Sequence, residues 1–170
     1  MPTRSRTDMG TFWRSVETPV GTVLLAVDAD HRVRAEFTAL HDEPPVGRQD
    51  PGLLPEAAAW LTACLRERVG PPPIPVPAAS SFRRRCWLAC RDIPVGETRT
   101  YTLLASMAGN GRAARAAGSA MRNNPMSLLT PCHRVVAANG WGGYAGRVGS
   151  DTPSLRLKRR ILELERVIAS

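Results

Sequence analysis

The sequence predicts an α+β chain: a small N-terminal β-sheet domain with a helix, a proline-rich linker, and a mostly helical C-terminal domain containing a helix-turn-helix. Three observations point there. Short apolar runs split by turn residues come first, and apolar residues at helical spacing follow. Pro71, Pro72, Pro73, Pro75 and Pro77 crowd the middle of the chain. Charge divides at the same place: residues 1–80 hold 8 Arg against 10 acids, and residues 81–170 hold 14 Arg and one Lys against 5 acids. A net of +10 in the second half suits a polyanionic partner there, although an Arg-rich solubilising surface has the same composition.

Taken in order, residues 1–10 carry Arg4 and Arg6 with no apolar segment behind them, which reads as a disordered leader rather than a secretory signal. In residues 11–69, Pro19-Val20-Gly21 and Asp28-Ala29-Asp30-His31 cut one apolar stretch into three strands. Residues 42–52 read as loop, and residues 53–69 have helical composition. The prolines of residues 70–80 forbid a helix and make a stiff, extended linker. The C-terminal domain, 81–170, opens with a helix over residues 82–93 that Pro94 and Gly96 end, with Cys86 and Cys90 on one face. Thr100 is placed to cap a helix from Tyr101 to Ala108, closed by Gly109. A second helix over residues 112–124 stops at Asn124-Pro125. Its Arg112, Arg115, Ser119 and Arg122 share a face, and its alanines and Gly118 leave the rest without bulk. Such a helix can approach another surface closely or pack tightly in a core. Residues 155–170 form an amphipathic helix.

At 170 residues the chain can bury a sizeable core. No run of apolar residues is long enough to span a membrane, and the four cysteines read as reduced thiols of a cytoplasmic protein. His31, His41 and Cys64 lack any standard zinc spacing, so no metal is expected.

Chemistry concentrates in the stretch from Leu128 to Gly146, where an apolar run leads into Pro131, Cys132, His133 and Arg134 before a glycine-rich loop. Neighbouring strand residues point to opposite faces, so Cys132 and His133 cannot pair directly in a regular strand. Either the chain turns there or a water carries the proton. A carboxylate behind the imidazole would fix its tautomer, from Asp92, Glu97, Asp151, Glu163 or Glu165. An ordinary buried thiol beside a surface histidine would give the same two letters.

The wider pattern is more specific. "PCHRVV" followed by "GWGGYAG" resembles the active-site motif of the O6-alkylguanine-DNA alkyltransferases, or methylated-DNA–protein cysteine methyltransferases. "SFRRRCWLACRDIPVGETRTYTLLA", "GRAARAAGSAMRNNP" and "LKRRILELE" resemble that family's lead-in helix and tyrosine turn, DNA-reading helix and closing helix, so the likeness runs in order over residues 81–166. The first half is similar in outline to the family's ribonuclease-H-like domain.

The resemblance implies an alkyl acceptor at Cys132, with His133 acting through a bridging water and Glu165 orienting it. Asn124 would hold the Cys132 region in place, and Tyr101 would donate toward the purine ring. Arg115 would fill the gap left by an extruded base. Tyr101, Thr102, Asn110, Ala113, Ala114, Ala116 and Gly118 would lie along the minor groove of double-stranded DNA. Pro131, Tyr144, Ala145 and Lys158 would line the substrate pocket. The resemblance implies no cofactor, and a monomer for which cooperative binding along DNA stays open.

The chain departs from the family pattern at Arg83 and Thr100, which replace a glutamine and a serine, and in a longer loop, residues 147–157, with Arg147 at a glycine position. The rival readings are a cysteine hydrolase, a helix-turn-helix regulator, and a protein that binds alkyl lesions without repairing them. The alanine-rich helix suits the regulator poorly, because base-specific major-groove contacts need longer polar side chains.

Overall fold

The computed structural model describes residues 12–40, 47–144 and 151–169. The expected leader, His41, Ala145 and Arg147 lie outside the described residues.

The three expected strands form: β1 (Phe12–Thr18), β2 (Gly21–Val27) and β3 (Val33–Phe37), an antiparallel meander with Val16 opposite Val23 and Leu25 opposite Ala35. Their turns are the ones the composition marks. Gly21 takes φ +123°, and Asp28 Oδ1 accepts from the amides of Asp30 and Arg32 at 2.9 Å each. A fourth strand, β4 (Arg48–Gln49), adds parallel to β1 within the segment expected to be loop, giving the order β3-β2-β1-β4. Two residues carry no readable alternation, so only the pairing defines it.

The helix expected over 53–69 is shorter. α1 (Pro55–Ala63) buries Ala57, Ala58 and Leu61, after which the chain turns and brings Cys64 and Leu65 into the core. Trp60 Nε1 then donates to the Gly70 carbonyl at 2.8 Å. The proline-rich segment has neither helix nor strand, yet it is packed down: Val76 is buried, and Arg91 Nη1 donates to the Ile74 carbonyl at 2.6 Å.

In the second half α2 (Ser81–Arg91) buries Cys86, Trp87, Ala89 and Cys90, so the two cysteines do share its inner face. A two-residue strand, β5 (Arg99–Thr100), leads into α3 (Tyr101–Met107), whose first turn Thr100 caps by accepting from the Leu103 amide at 3.2 Å. α4 (Ala114–Arg122) starts two residues later than expected, leaving Arg112 outside it, and buries Ala117, Ala120 and Met121. The indole of Trp87 donates to the Ala120 carbonyl at 2.9 Å and ties α2 to α4. β6 (Val135–Val136) pairs parallel with β5. α5 (Pro153–Ala169) begins inside the segment expected to be an added loop, so residues 153–157 are its first turns.

In the reactive stretch the structure decides between a regular strand and a turn. Residues 128–134 are not a strand. Leu128 has a left-handed φ of 66°, and Cys132–Arg134 form one 3₁₀ turn, with strand geometry only from Val135 onward. The chain therefore turns at the cysteine, as Pro131 permits.

Candidate active site

The 3₁₀ turn places Cys132 and His133 side by side in the interior, 8% and 1% exposed. Behind them α5 supplies Glu165, also 1% exposed, because Ile161, Leu162 and Glu165 fall on the buried face of that helix. His133 Nε2 lies 2.8 Å from Glu165 Oε1. An ionised carboxylate only accepts, so Nε2 carries the proton, which leaves Nδ1 as the basic nitrogen. Nδ1 is buried and meets no hydrogen-bonding protein group.

Burial alone would raise the carboxyl of Glu165. The imidazole and the Arg134 guanidinium outweigh it and hold the pKa at about 2. Burial lowers the imidazole despite the carboxylate beside it, so the pair is a neutral histidine on a charged glutamate. Arg134 is the partner that spacing does not reveal. Its Nη2 reaches Glu165 Oε1 at 2.7 Å, its Nε lies 3.0 Å from Oε2, and its Nη1 donates to the Ile93 carbonyl at 2.7 Å. A paired, hydrogen-bonded carboxylate in this setting is costly to break.

Asn124 holds the approach to the cysteine. Its Nδ2 donates to the Thr130 carbonyl at 2.8 Å and its Oδ1 accepts from the Met126 amide at 3.0 Å. The Cys132 amide then donates to the same Thr130 carbonyl at 2.8 Å. Burial raises the Cys132 thiol, while hydrogen bonding from Asn124 and the charge of Lys158 pull it back. The resting sulfur is a thiol, and its ionisation needs a proton acceptor close by.

Lys158, expected in the pocket, lies fully buried beneath the glycine loop. Its Nζ donates to the carbonyls of Val135, Trp141 and Gly143 at 2.7, 2.6 and 3.1 Å, which uses all three of its protons. Burial lowers its pKa to about 8, with the cysteine sulfur acting the other way. The loop it pins closes over Tyr101. Gly142 takes φ +68°, and a Cβ there would sit 3.1 Å from the Tyr101 ring and hydroxyl. Gly118 of α4 faces the other part of that ring, where a Cβ would make ordinary contact at 3.8 Å. Tyr101 is thus held between a loop and a helix, with its pKa raised by burial and by the neighbouring Cys132. Tyr144 is buried too, its pKa raised well above the usual value by burial and then by the charge of Cys132, and Pro131, next to Cys132 in sequence, is buried.

The remaining expected residues lie at the surface or near it. Thr102, Asn110, Arg115 and Ala116 are exposed, and Ala113, Ala114 and Gly118 are half-buried. A cavity of about 260 Å³ reaches His133 and Glu165 from the α1 side, with Trp60, Pro72 and Ile93 among its walls. Among the described residues no cluster of His, Cys, Asp or Glu could hold a metal ion.

Residues 81–167 match the family described as 6-O-methylguanine DNA methyltransferase, DNA binding domain. The chain is 32% identical over 159 residues to a methylated-DNA–protein-cysteine methyltransferase of Methanosarcina acetivorans, covering 91% of this chain and 97% of that one. It is 42% identical over 111 residues to the mouse protein of the same name, covering 60% of this chain and 52% of the mouse protein, so the chain spans about half the length of that relative. Among solved structures, Mycobacterium tuberculosis OGT in complex with DNA superposes with a TM-score of 0.75 at 30% identity, over 92% of this chain and 94% of that one.

Proposed function

The chain belongs to the methylated-DNA–protein-cysteine methyltransferase family, and on that premise we propose that it repairs DNA by moving the alkyl group of O6-alkylguanine, and of O4-alkylthymine, irreversibly onto its own Cys132. The observation that carries this reading is the buried His133–Glu165 pair beside the thiol, with Nδ1 of the imidazole left unpartnered by protein.

In this reading each residue has a role, supported by its placement. A water bridges the Cys132 sulfur and His133 Nδ1, and the thiol proton passes along it as sulfur attacks. Glu165 and Arg134 keep the imidazole in the tautomer that can accept it. The new S–C bond forms in line as the C–O6 bond breaks, and the guanine leaves with the electron pair while Tyr101 donates a proton toward its ring nitrogen. Asn124 and Lys158 hold the two segments that flank the sulfur. Pro131 and Tyr144 line the pocket for the base. The product is a thioether without a carbonyl for water to attack, so each molecule reacts once.

A base inside a duplex cannot reach the sulfur of a buried cysteine, so the damaged nucleotide is flipped out. Flipping costs a few kcal/mol, and Arg115, exposed on α4, fills the gap and offsets it. α3 and α4, joined through Gly109 at φ +86°, form a helix-turn-helix unit. It presents Tyr101, Thr102, Asn110, Ala113, Ala114, Ala116 and Gly118 to the minor groove. Residues 11–69 form a ribonuclease-H-like domain, residues 70–80 a linker and residues 81–170 the reacting domain. The protein works as a monomer in the cytoplasm, and no helix of the described residues is long and apolar enough to cross a membrane.

The test is the intact mass after incubation with a duplex carrying one O6-methylguanine, followed by peptide mapping. One added methyl group on Cys132, stopping at one equivalent, is the expected result. Tight lesion binding with no mass change would replace the reading with that of a damage-binding protein.

A further inference from the structure

The edge of the N-terminal sheet continues into the reacting half through a single residue. Ala35 of β3 donates its N–H to the Pro125 carbonyl at 2.9 Å and accepts from the Ser127 amide at 2.7 Å, as a parallel bridge to Met126. Both main-chain groups of Ala35 therefore point away from β2. Opposite Leu25 it must be a non-hydrogen-bonded pair of the antiparallel ladder. The sheet spends nothing of its own on this contact; the edge groups of Ala35 are given wholly to residues 125–127.

Those residues are one step from the sulfur. Met126, fixed by the bridge and 1% exposed, donates its amide to Asn124 Oδ1 at 3.0 Å. Its carbonyl accepts from the Thr130 amide at 2.8 Å. The Thr130 carbonyl in turn receives both Asn124 Nδ2 and the Cys132 amide, each at 2.8 Å. An unbroken series of hydrogen bonds thus runs from β3 to the main chain of Cys132. Ala35 is itself fully buried, so water does not compete for these two hydrogen bonds.

We propose that the main chain of Ala35 is a positioning residue for alkyl transfer: the edge of β3 sets the register of residues 124–132 and so the direction in which Cys132 presents its sulfur. This rests on the alkyl-transfer reading and assigns the N-terminal sheet a part in the reaction beyond its own folding. In-line displacement is sensitive to such placement, since an error of about 1 Å at a reacting atom can cost on the order of 100-fold in rate.

The experiment removes the donor without touching the ladder. Replacing Ala35 by lactic acid turns its amide into an ester, which keeps the methyl group and deletes the N–H. Ala35→Pro deletes the same N–H genetically, but because that N–H faces the Pro125 carbonyl and not solvent it also brings the ring against residues 125–127, so the ester is the variant that decides. Single-turnover transfer from a saturating O6-methylguanine duplex is measured below the melting transition, beside duplex affinity and the melting temperature. The expected result is a transfer rate lower by about ten-fold or more, with duplex affinity retained. Leu61→Ala, in the core of α1 and with no part in the bridge's hydrogen bonds, serves as the stability control; it should lower the melting temperature without slowing transfer in the folded protein. Transfer at the wild-type rate in the folded Ala35 variants overturns the inference. So does a loss that Leu61→Ala reproduces at equal melting temperature. A wild-type protein that transfers nothing overturns the alkyl-transfer reading instead, and this inference falls with it.

Discussion

The two halves of the molecule reach stability by different means. The sheet and α1 bury Val16, Val23, Leu25, Ala35, Phe37, Ala57 and Leu61 and keep their charges outside. The second half buries Thr130, His133, Ser154, Lys158 and Glu165, whereas the first buries only Thr18 among its described polar residues. A buried ion pair seldom adds stability over an apolar one of the same shape. The second half therefore carries its internal charge at a cost, and what that charge provides is fixed placement. Three carbonyls of a glycine loop are held by one ammonium, and an imidazole is held by one carboxylate.

If this contrast is right, substitutions should separate along it. The sharpest is Cys132→Ser, expected to abolish transfer while duplex binding persists, read by intact mass and by fluorescence anisotropy. Glu165→Gln should do damage of both kinds. It strands Arg134 and His133 in the interior, costing about 3–5 kcal/mol in chemical denaturation. It should also slow single-turnover transfer by about 100-fold as the imidazole loses its orienting anion. Leu61→Ala should cost about 2–5 kcal/mol and leave the folded protein's transfer rate alone, because its loss is one of apolar contact. A stability loss without a rate loss for Glu165→Gln would erase the distinction.

Smaller effects sharpen it further. Burial lowers the His133 pKa, so the unfolded chain takes up that proton first as pH falls through about 6.5. Stability should decline there, by denaturant titration at successive pH values, and His133→Gln should flatten the slope. Arg115→Ala should shift stability by no more than about 0.5 kcal/mol. It should still weaken transfer from duplex DNA and spare transfer from free O6-benzylguanine, since only the former needs the stack refilled.

The same contrast explains what could be read in advance. Apolar burial leaves a period, so the three long strands, α2 and the later helices are legible in their residues, and Thr100 is legible as a cap because the cap chemistry is local. Residues joined by one distant contact leave none. The resemblance to the alkyltransferases brings Glu165 to His133, while spacing alone leaves five carboxylates open. Arg134 adjoins His133 in sequence, but only the position of α5 makes it the second partner of Glu165. The resemblance puts Lys158 in the substrate pocket, and nothing in its helix shows the three loop carbonyls that it meets instead. The turn at Cys132–Arg134 is one of two alternatives that the adjacent Cys132 and His133 leave open, and local sequence does not choose between them, because Val135 and Val136 suit a strand as well. The role of the second half is thus read from its motifs, and the means by which it holds them from tertiary contacts.

The bridge at Ala35 also bears on how the chain is made. Its two sides, residues 35 and 126, are 91 positions apart, and synthesis delivers the sheet long before the segment that covers its edge. Domains fold largely as they emerge, N-terminal first. During that interval β3 exposes unpaired amide and carbonyl groups, the kind of edge on which other chains can pair. Arg34 and Glu36, which flank Ala35 and remain half-buried rather than buried, are charges of the sort that discourage such pairing. The nascent sheet then serves as a template: when residues 125–127 leave the ribosome, the strand they must join is already standing.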